Sequence, residues 1–226
     1  AWGLVILSWL CMGIAPILFA IVSMFLLLVI GLSEDMSWGI TGVMIYMLMF
    51  FILIAFLYIE GKLGSLWKLF ELPPKKKALA LILIVSVVDF LLVIAYTIGY
   101  DFILGPPEEI ELFFDPDSAN NPLILALLFT SMGIGAPLVE EMFFRGYILD
   151  SLRAVHSDAV SIISSGLLFG LMHNPFFLFI GDFYTIGSAS IGGFLYAWLR
   201  IQTGSLWPSI ACHFLWNTTI FALMFA

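Results

Sequence analysis

Charge is scarce in this chain: Asp, Glu, Lys and Arg together make up 11% of its 226 residues, against 62% hydrophobic ones. Soluble globular domains carry about 25% charged residues, so a mean hydropathy of +1.13 excludes a water-soluble fold. Basic residues are scarcer still, 8 against 16 acidic ones, for a net charge of −8. That balance offers no patch for a phosphate backbone and excludes nucleic acid as a partner. Cysteine is nearly absent: Cys11 and Cys212 lie far apart in apolar stretches, with no CxxC spacing and no disulfide framework. Regular alternation of polar and apolar residues is also missing, which excludes a β-barrel. Neither an internal repeat nor a low-complexity tract is present.

What the chain has instead is long apolar runs. A membrane helix needs about 20 such residues, and spans are predicted at about 4–31, 39–60, 78–100, 121–138, 160–180, 183–200 and 205–225. The segment 139–153 is expected to continue helically from the fourth span or to form a short helix after it. The fold class is therefore all-α: a polytopic integral membrane bundle of about seven or eight transmembrane helices.

The few charges orient this bundle. Lys62, Lys68, Lys75, Lys76 and Lys77 fall between the second and third spans, which makes that loop cytoplasmic by the positive-inside rule. The next loop carries Asp101, Glu108, Glu109, Glu111, Asp115 and Asp117 without a Lys or Arg, so it belongs on the other side as a solvated connection. Arg153 and Arg200 then return to the inside, and the N-terminus is expected to be cytoplasmic.

The halves differ in texture. Residues 1–119 are aliphatic and aromatic, and Asp89 is an ionisable group near the middle of a span. Such a group is a functional candidate by default, but with no recognisable local partner it reads as an interhelical hydrogen bond or a carboxyl that keeps its proton. Residues 120–226 are richer in small residues, such as Ser165, Gly166, Gly170, Ser190, Gly192 and Gly193, which let helices approach closely. Asn174-Pro175 is expected to end or bend the fifth span. His156, between Arg153 and Asp158, reads as a solvated loop residue.

Three motifs stand against this apolar background: Glu140-Glu141-x-x-x-Arg145, Phe169-x-x-x-His173 and His213-x-x-x-Asn217. On a helix Glu141 and Arg145 share a face, whereas Glu140 projects about 100° away. Arg145 can neutralise Glu141 and leave Glu140 free to turn into a different cavity, where a carboxylate can act as a general base. His213 and Asn217 present donors on one face, as a developing oxyanion requires. Phe169 can pack beside His173 and orient it. A water held between Glu140 and His173 would then attack a carbonyl polarised by His213 and Asn217, which is amide hydrolysis without a protein nucleophile.

Rival chemistries use the same residues. Cys212 adjoins His213, but helix neighbours do not face each other. Glu140, His173 and His213 could bind zinc with an open position, although the chain has no His-Glu-x-x-His. A third alternative is a non-catalytic membrane scaffold or transporter with a polar core.

Taken in order, the three motifs resemble those of the type II CAAX prenyl endopeptidases, within the CAAX-processing and bacteriocin-immunity superfamily. The run Gly204-Ser205-Leu206-Trp207-Pro208-Ser209-Ile210 before His213 is similar to that family as well. The resemblance covers roughly 120–220. It implies a site within the bilayer that opens toward the cytoplasm and hydrolyses a peptide bond near the C-terminus of prenylated CAAX-type substrates. It assigns Glu140 to activating water and His173 to assisting. His213 and Asn217 would stabilise the oxyanion, with Glu141 and Arg145 in support. It implies no metal and no cofactor, a prenylated C-terminal peptide or protein and membrane lipids as partners, and, for some members, an immunity role. The expected organisation is one integrated membrane domain, with flanking helices over 1–119 and a catalytic core over 120–226.

Overall fold

The computed structural model describes residues 2–106, 120–174 and 183–225. Among them are eight helices and no strand: α1 Trp2–Val29, α2 Glu34–Ile59, α3 Leu63–Lys68, α4 Lys75–Leu104, α5 Pro122–Arg153, α6 Asp158–His173, α7 Phe183–Thr203 and α8 Trp207–Met224. Four of these, α1, α2, α4 and α5, are long and apolar enough to cross a membrane. The all-α membrane bundle expected from the apolar runs is what the chain forms.

Local chemistry sets the ends. The Ser33 and Ser157 hydroxyls accept from the third amide of the following helix, and Asn121 accepts from Leu123 and Ile124 ahead of Pro122 in the first turn. α1 closes with Gly31 at φ 91°, a left-handed position that glycine adopts without strain. There the Leu32 amide reaches Leu27 and the Gly31 amide reaches Leu28, so the last carbonyls stay paired. α6 ends at His173 with Asn174 as its cap; Pro175 lies outside the described residues, as do Glu108, Glu109, Glu111, Asp115 and Asp117 of the acidic loop.

Segment 139–153 continues the fourth span as part of one helix. α5 is not uniform, because two π-helical segments, Thr130–Gly135 and Met142–Ile148, flank the turn that carries Glu140 and Glu141. Every residue from Val139 to Leu149 is buried, so this stretch is the axis of the bundle. α6 and α7 pack against it and against each other with backbones nearly touching. A Cβ on Gly193 would stand 2.8 Å from the Gly166 Cα, and one on Gly166 would meet the Phe194 ring.

Polar contacts tie the helix ends together on the side carrying the lysines. Lys77 donates to the Gln202 carbonyl at 3.2 Å, Arg200 to Asp150 at 3.2 Å and Arg153 to Asp158 at 2.8 Å. α3, which the hydropathy did not foretell, is pinned here too. The Leu206 amide donates to the Leu69 carbonyl and the Trp207 indole to the Phe70 carbonyl, each at 2.8 Å. Leu66 of α3 packs onto Gly146. His156 is not the solvated residue expected: it is partly buried, and its Nε2 accepts from the Trp2 indole at 2.8 Å. A tryptophan in the first turn of α1 supplied a partner that loop polarity could not reveal.

Candidate active site

The motif residues come from three helices. At a rise of about 1.5 Å per residue, Glu140 is about 20 Å from the Arg153 end of α5 and His173 about 22 Å from the Asp158 end of α6. Since Arg153 and Asp158 are paired, the two groups sit at one depth, with Glu140 buried there and His173 exposed.

Glu141 is fully buried and serves as the hub. Its Oε1 lies 2.8 Å from Arg145 Nη1 and accepts from His213 Nδ1 at 3.0 Å. Arg145, also fully buried, donates to the Gly193 carbonyl at 3.2 Å and rests over the Phe169 ring at 4.3 Å. A buried charge pair holds only when such additional contacts compensate for lost hydration. Together they tie α5 to α6, α7 and α8.

Glu140 faces elsewhere. Its Oε1 accepts from the Tyr46 hydroxyl of α2 at 3.0 Å, and its Oε2 stands 4.0 Å from His213 Nε2 with no hydrogen-bond partner among the described residues. His173 points its Nδ1 at the Phe169 carbonyl, 2.9 Å away. A carbonyl only accepts, so Nδ1 carries the proton and Nε2 is the acceptor of the neutral ring. His213, whose Nδ1 donates to Glu141, can likewise donate from Nε2 only as the imidazolium. The Phe169 ring stands 4.6 Å from His173 and 5.7 Å from His213 and fixes the planes of both.

Asn217 departs from the simplest expectation of a free donor. Its Nδ2 donates to the Met132 carbonyl at 2.8 Å, inside the first π segment, which leaves one amide hydrogen for a ligand. Likewise Ser165 donates at 3.2 Å to Phe144 in the second π segment. The widened turns let α5 present its carbonyls sideways, a common use of π segments at functional sites.

Two cavities meet here. One of about 380 Å³ is lined by Glu140, Tyr46, His173 and apolar residues of α1 and α2 such as Met12, Ile17 and Met49. The other, about 190 Å³, is lined by His213, Asn217, Phe169, His173, Asp89 and Tyr196. His173 borders both. Cys212 is buried beside Tyr196, with its thiol directed to the Ile82 carbonyl. Among the described residues no three His, Cys, Asp or Glu side chains converge as a metal ion would require.

Tyr46 and Tyr196 are the residues that motif reading missed, whereas Asp89, singled out by its place in a span, makes the interhelical hydrogen bond expected of it. Asp89 accepts from the Tyr196 hydroxyl at 2.6 Å, and the Tyr196 ring stacks on His213 at 5.6 Å. The available signal was the tyrosine hydroxyl itself, which needs a partner when buried in an apolar span.

Residues 122–219, which contain all three motifs, match the family described as Rce1-like, type II CAAX prenyl endopeptidase. Neither a curated protein nor a solved structure matches the chain. Through the segment that builds this cluster, the chain, a membrane protein by its long apolar helices, is similar to the Rce1-like type II CAAX prenyl endopeptidase family.

Proposed function

We propose that the protein is a glutamate-dependent intramembrane endopeptidase that cleaves a peptide bond near the C-terminus of prenylated CAAX-type substrates. The observation that carries this reading is Glu140. Its Oε2 is buried without a hydrogen-bond partner among the described residues, 4.0 Å from His213 Nε2, and the residue lines a cavity that His173 also borders. Water between Glu140 and His173 adds its oxygen to the scissile carbonyl as Glu140 takes its proton. His213 as imidazolium and the second amide hydrogen of Asn217 hold the oxyanion. Glu141 keeps His213 in place, while Arg145 keeps Glu141 from being a lone buried anion. Phe169 orients both imidazoles. The C–N bond then breaks and the amine leaves with a proton.

The larger cavity suits an amphipathic substrate. Its Met12, Ile17 and Met49 walls can take an isoprenoid, worth about 0.8 kcal/mol per buried CH₂, and methionine adapts to irregular apolar ligands. Tyr46 of α2 and Asp89 of α4 reach the core of 120–226, so the flanking helices complete one integrated domain rather than standing apart. The lysine-bearing end and the N-terminus are cytoplasmic in this reading, with the site opening to that side.

The experiment is cleavage of a farnesylated fluorogenic peptide ending in a CAAX sequence by wild type and Glu140→Ala, with and without 1,10-phenanthroline. The expected result is wild-type cleavage that survives chelation and falls by about 10²–10⁴-fold in Glu140→Ala. Loss on chelation that zinc restores would replace this mechanism by a zinc site on Glu140, His173 and His213. No cleavage by folded wild type would point to a non-catalytic scaffold or immunity role.

A further inference from the structure

Asp89 is 3% exposed in the middle of α4, yet only half of its carboxyl is engaged. Oδ2 accepts from Tyr196, whereas Oδ1 has no hydrogen-bond partner among the described residues. The residue lines the cavity of about 190 Å³ beside His173, His213 and Asn217. Gly192, in the same wall, lies close to the carboxyl: a Cβ there would stand 3.5 Å from Oδ2. Glu140 lines the other cavity, and His173 is common to the two. The site thus holds two buried carboxyls, one lining each of the two cavities that His173 borders, each with one oxygen tied to a tyrosine and one without a hydrogen-bond partner among the described residues.

Peptide hydrolysis asks for such a division. A base must take the proton of water, and an acid must protonate the nitrogen, because an amide nitrogen does not depart as an anion. We propose that Asp89 is the general acid that protonates the leaving amine, with Glu140, in the other cavity, as the base. This rests on the peptidase reading given above. The scissile bond then lies along His173, its carbonyl toward Glu140 and His213 and its nitrogen toward Asp89 Oδ1. The water oxygen bonds to the carbonyl carbon while its proton passes to Glu140. The C–N bond breaks as Oδ1 gives its proton to nitrogen, and the Tyr196 hydroxyl stabilises the carboxylate that remains. Acid and amine products depart, and the proton on Glu140 returns to Asp89 through water admitted as they leave. No other reactant is required. Two carboxyls in separate surroundings are a recurrent way to run acid and base steps in one site.

The test compares two substrates of the intact protein: a farnesylated peptide with its scissile amide, and a matched farnesyl-cysteine p-nitrophenyl ester whose leaving group departs unprotonated. Asp89→Asn keeps an oxygen for Tyr196 but has no acidic proton. It should lower amide cleavage by about 10²–10⁴-fold and ester cleavage by less than about tenfold. Retained ester cleavage also shows that the variant is folded. Tyr196→Phe should weaken the amide reaction less than Asp89→Asn. Equal loss of both activities in Asp89→Asn, or amide cleavage within about threefold of wild type, would overturn the assignment and leave Glu140 untouched. Failure of wild type on both substrates would instead overturn the peptidase reading and this one with it.

Discussion

α4 and α5 have nearly the same length, 30 and 32 residues, but opposite characters. α4 is the more apolar of the two and exposes Leu79, Leu83, Leu91 and Ile94 on its outer face; 22% of its most apolar window is buried. α5 is the least apolar of the four long spans and 39% of its window is buried. In water the ranking would be reversed, since apolar surface drives burial there. In lipid a leucine gains little by leaving the acyl chains, whereas an unpaired polar atom is costly until the protein surrounds it. Polarity therefore marks the interior of this bundle, and Asp89 obeys the rule on the largely exposed α4.

The largest effect that can break this comparison is a change of one side chain in each helix. Arg145→Met removes the guanidinium and leaves Glu141 a buried anion paired only with His213; loss of one partner of a buried pair destabilises by about 3–5 kcal/mol. Ile94→Ala on the outward face of α4, at 54% exposure, should change stability by less than about 0.5 kcal/mol. Thermal unfolding of both variants in the same detergent measures the contrast. Similar losses would mean that burial of polarity does not organise the bundle.

The contrast also explains what the sequence disclosed. Glu141 and Arg145 lie four apart on one helix, so their pairing is written in local spacing. Apolar run lengths were likewise enough for an all-α membrane bundle. Asp89 and Tyr196 are separated by 107 positions and Tyr46 and Glu140 by 94, and no local pattern records which helices will face each other. The π segments were hidden for a related reason. They arise where Asn217 and Ser165 reach carbonyls of α5 from other helices, a tertiary effect on a stretch whose own residues read as ordinary helix. α3 is short and mostly exposed, and its position depends on Leu206, Trp207 and Gly146, all far along the chain.

A middle-sized effect sharpens the claim that close backbones, not apolar area, seal the polar core. At Gly193 an added methyl must push aside backbone atoms of Gly166, which cannot rotate away as a side chain would. Gly193→Ala should destabilise by about 1–3 kcal/mol through overpacking. It should also lower cleavage by shifting the carbonyl that Arg145 uses. Gly99→Ala in α4, where nothing lies within 4 Å of the new carbon, should be neutral or slightly stabilising. Comparing unfolding temperatures and cleavage rates of the two variants isolates packing from helix propensity, because both exchange glycine for alanine within a helix.

The smallest effect lies where α5 meets the end of α2, outside the apolar interior. Glu60 follows α2 and receives the Tyr147 hydroxyl from the second π segment, while Lys62 pairs with its other oxygen. Burial alone would raise the Glu60 carboxyl, but the hydrogen bonds from Lys62 and Tyr147, with the charge of Lys62, outweigh it and hold the group below its ordinary value. A carboxyl depressed in the fold binds its proton more readily when unfolded, so its contribution to stability is complete above the ordinary value of 4.5. That contribution fades as pH falls below 4.5 toward the lowered folded value. Glu60→Gln should therefore unfold at a lower temperature than wild type at pH 7, and the gap should close on acidification, other carboxyls titrating equally in both proteins. The exposed Lys62 arm limits the gap to about 1 kcal/mol or less. A gap that persisted unchanged at low pH would assign the effect to lost packing around Tyr147. A closing gap would show that charge stabilises this bundle by pairing at its edge and by enclosure only within.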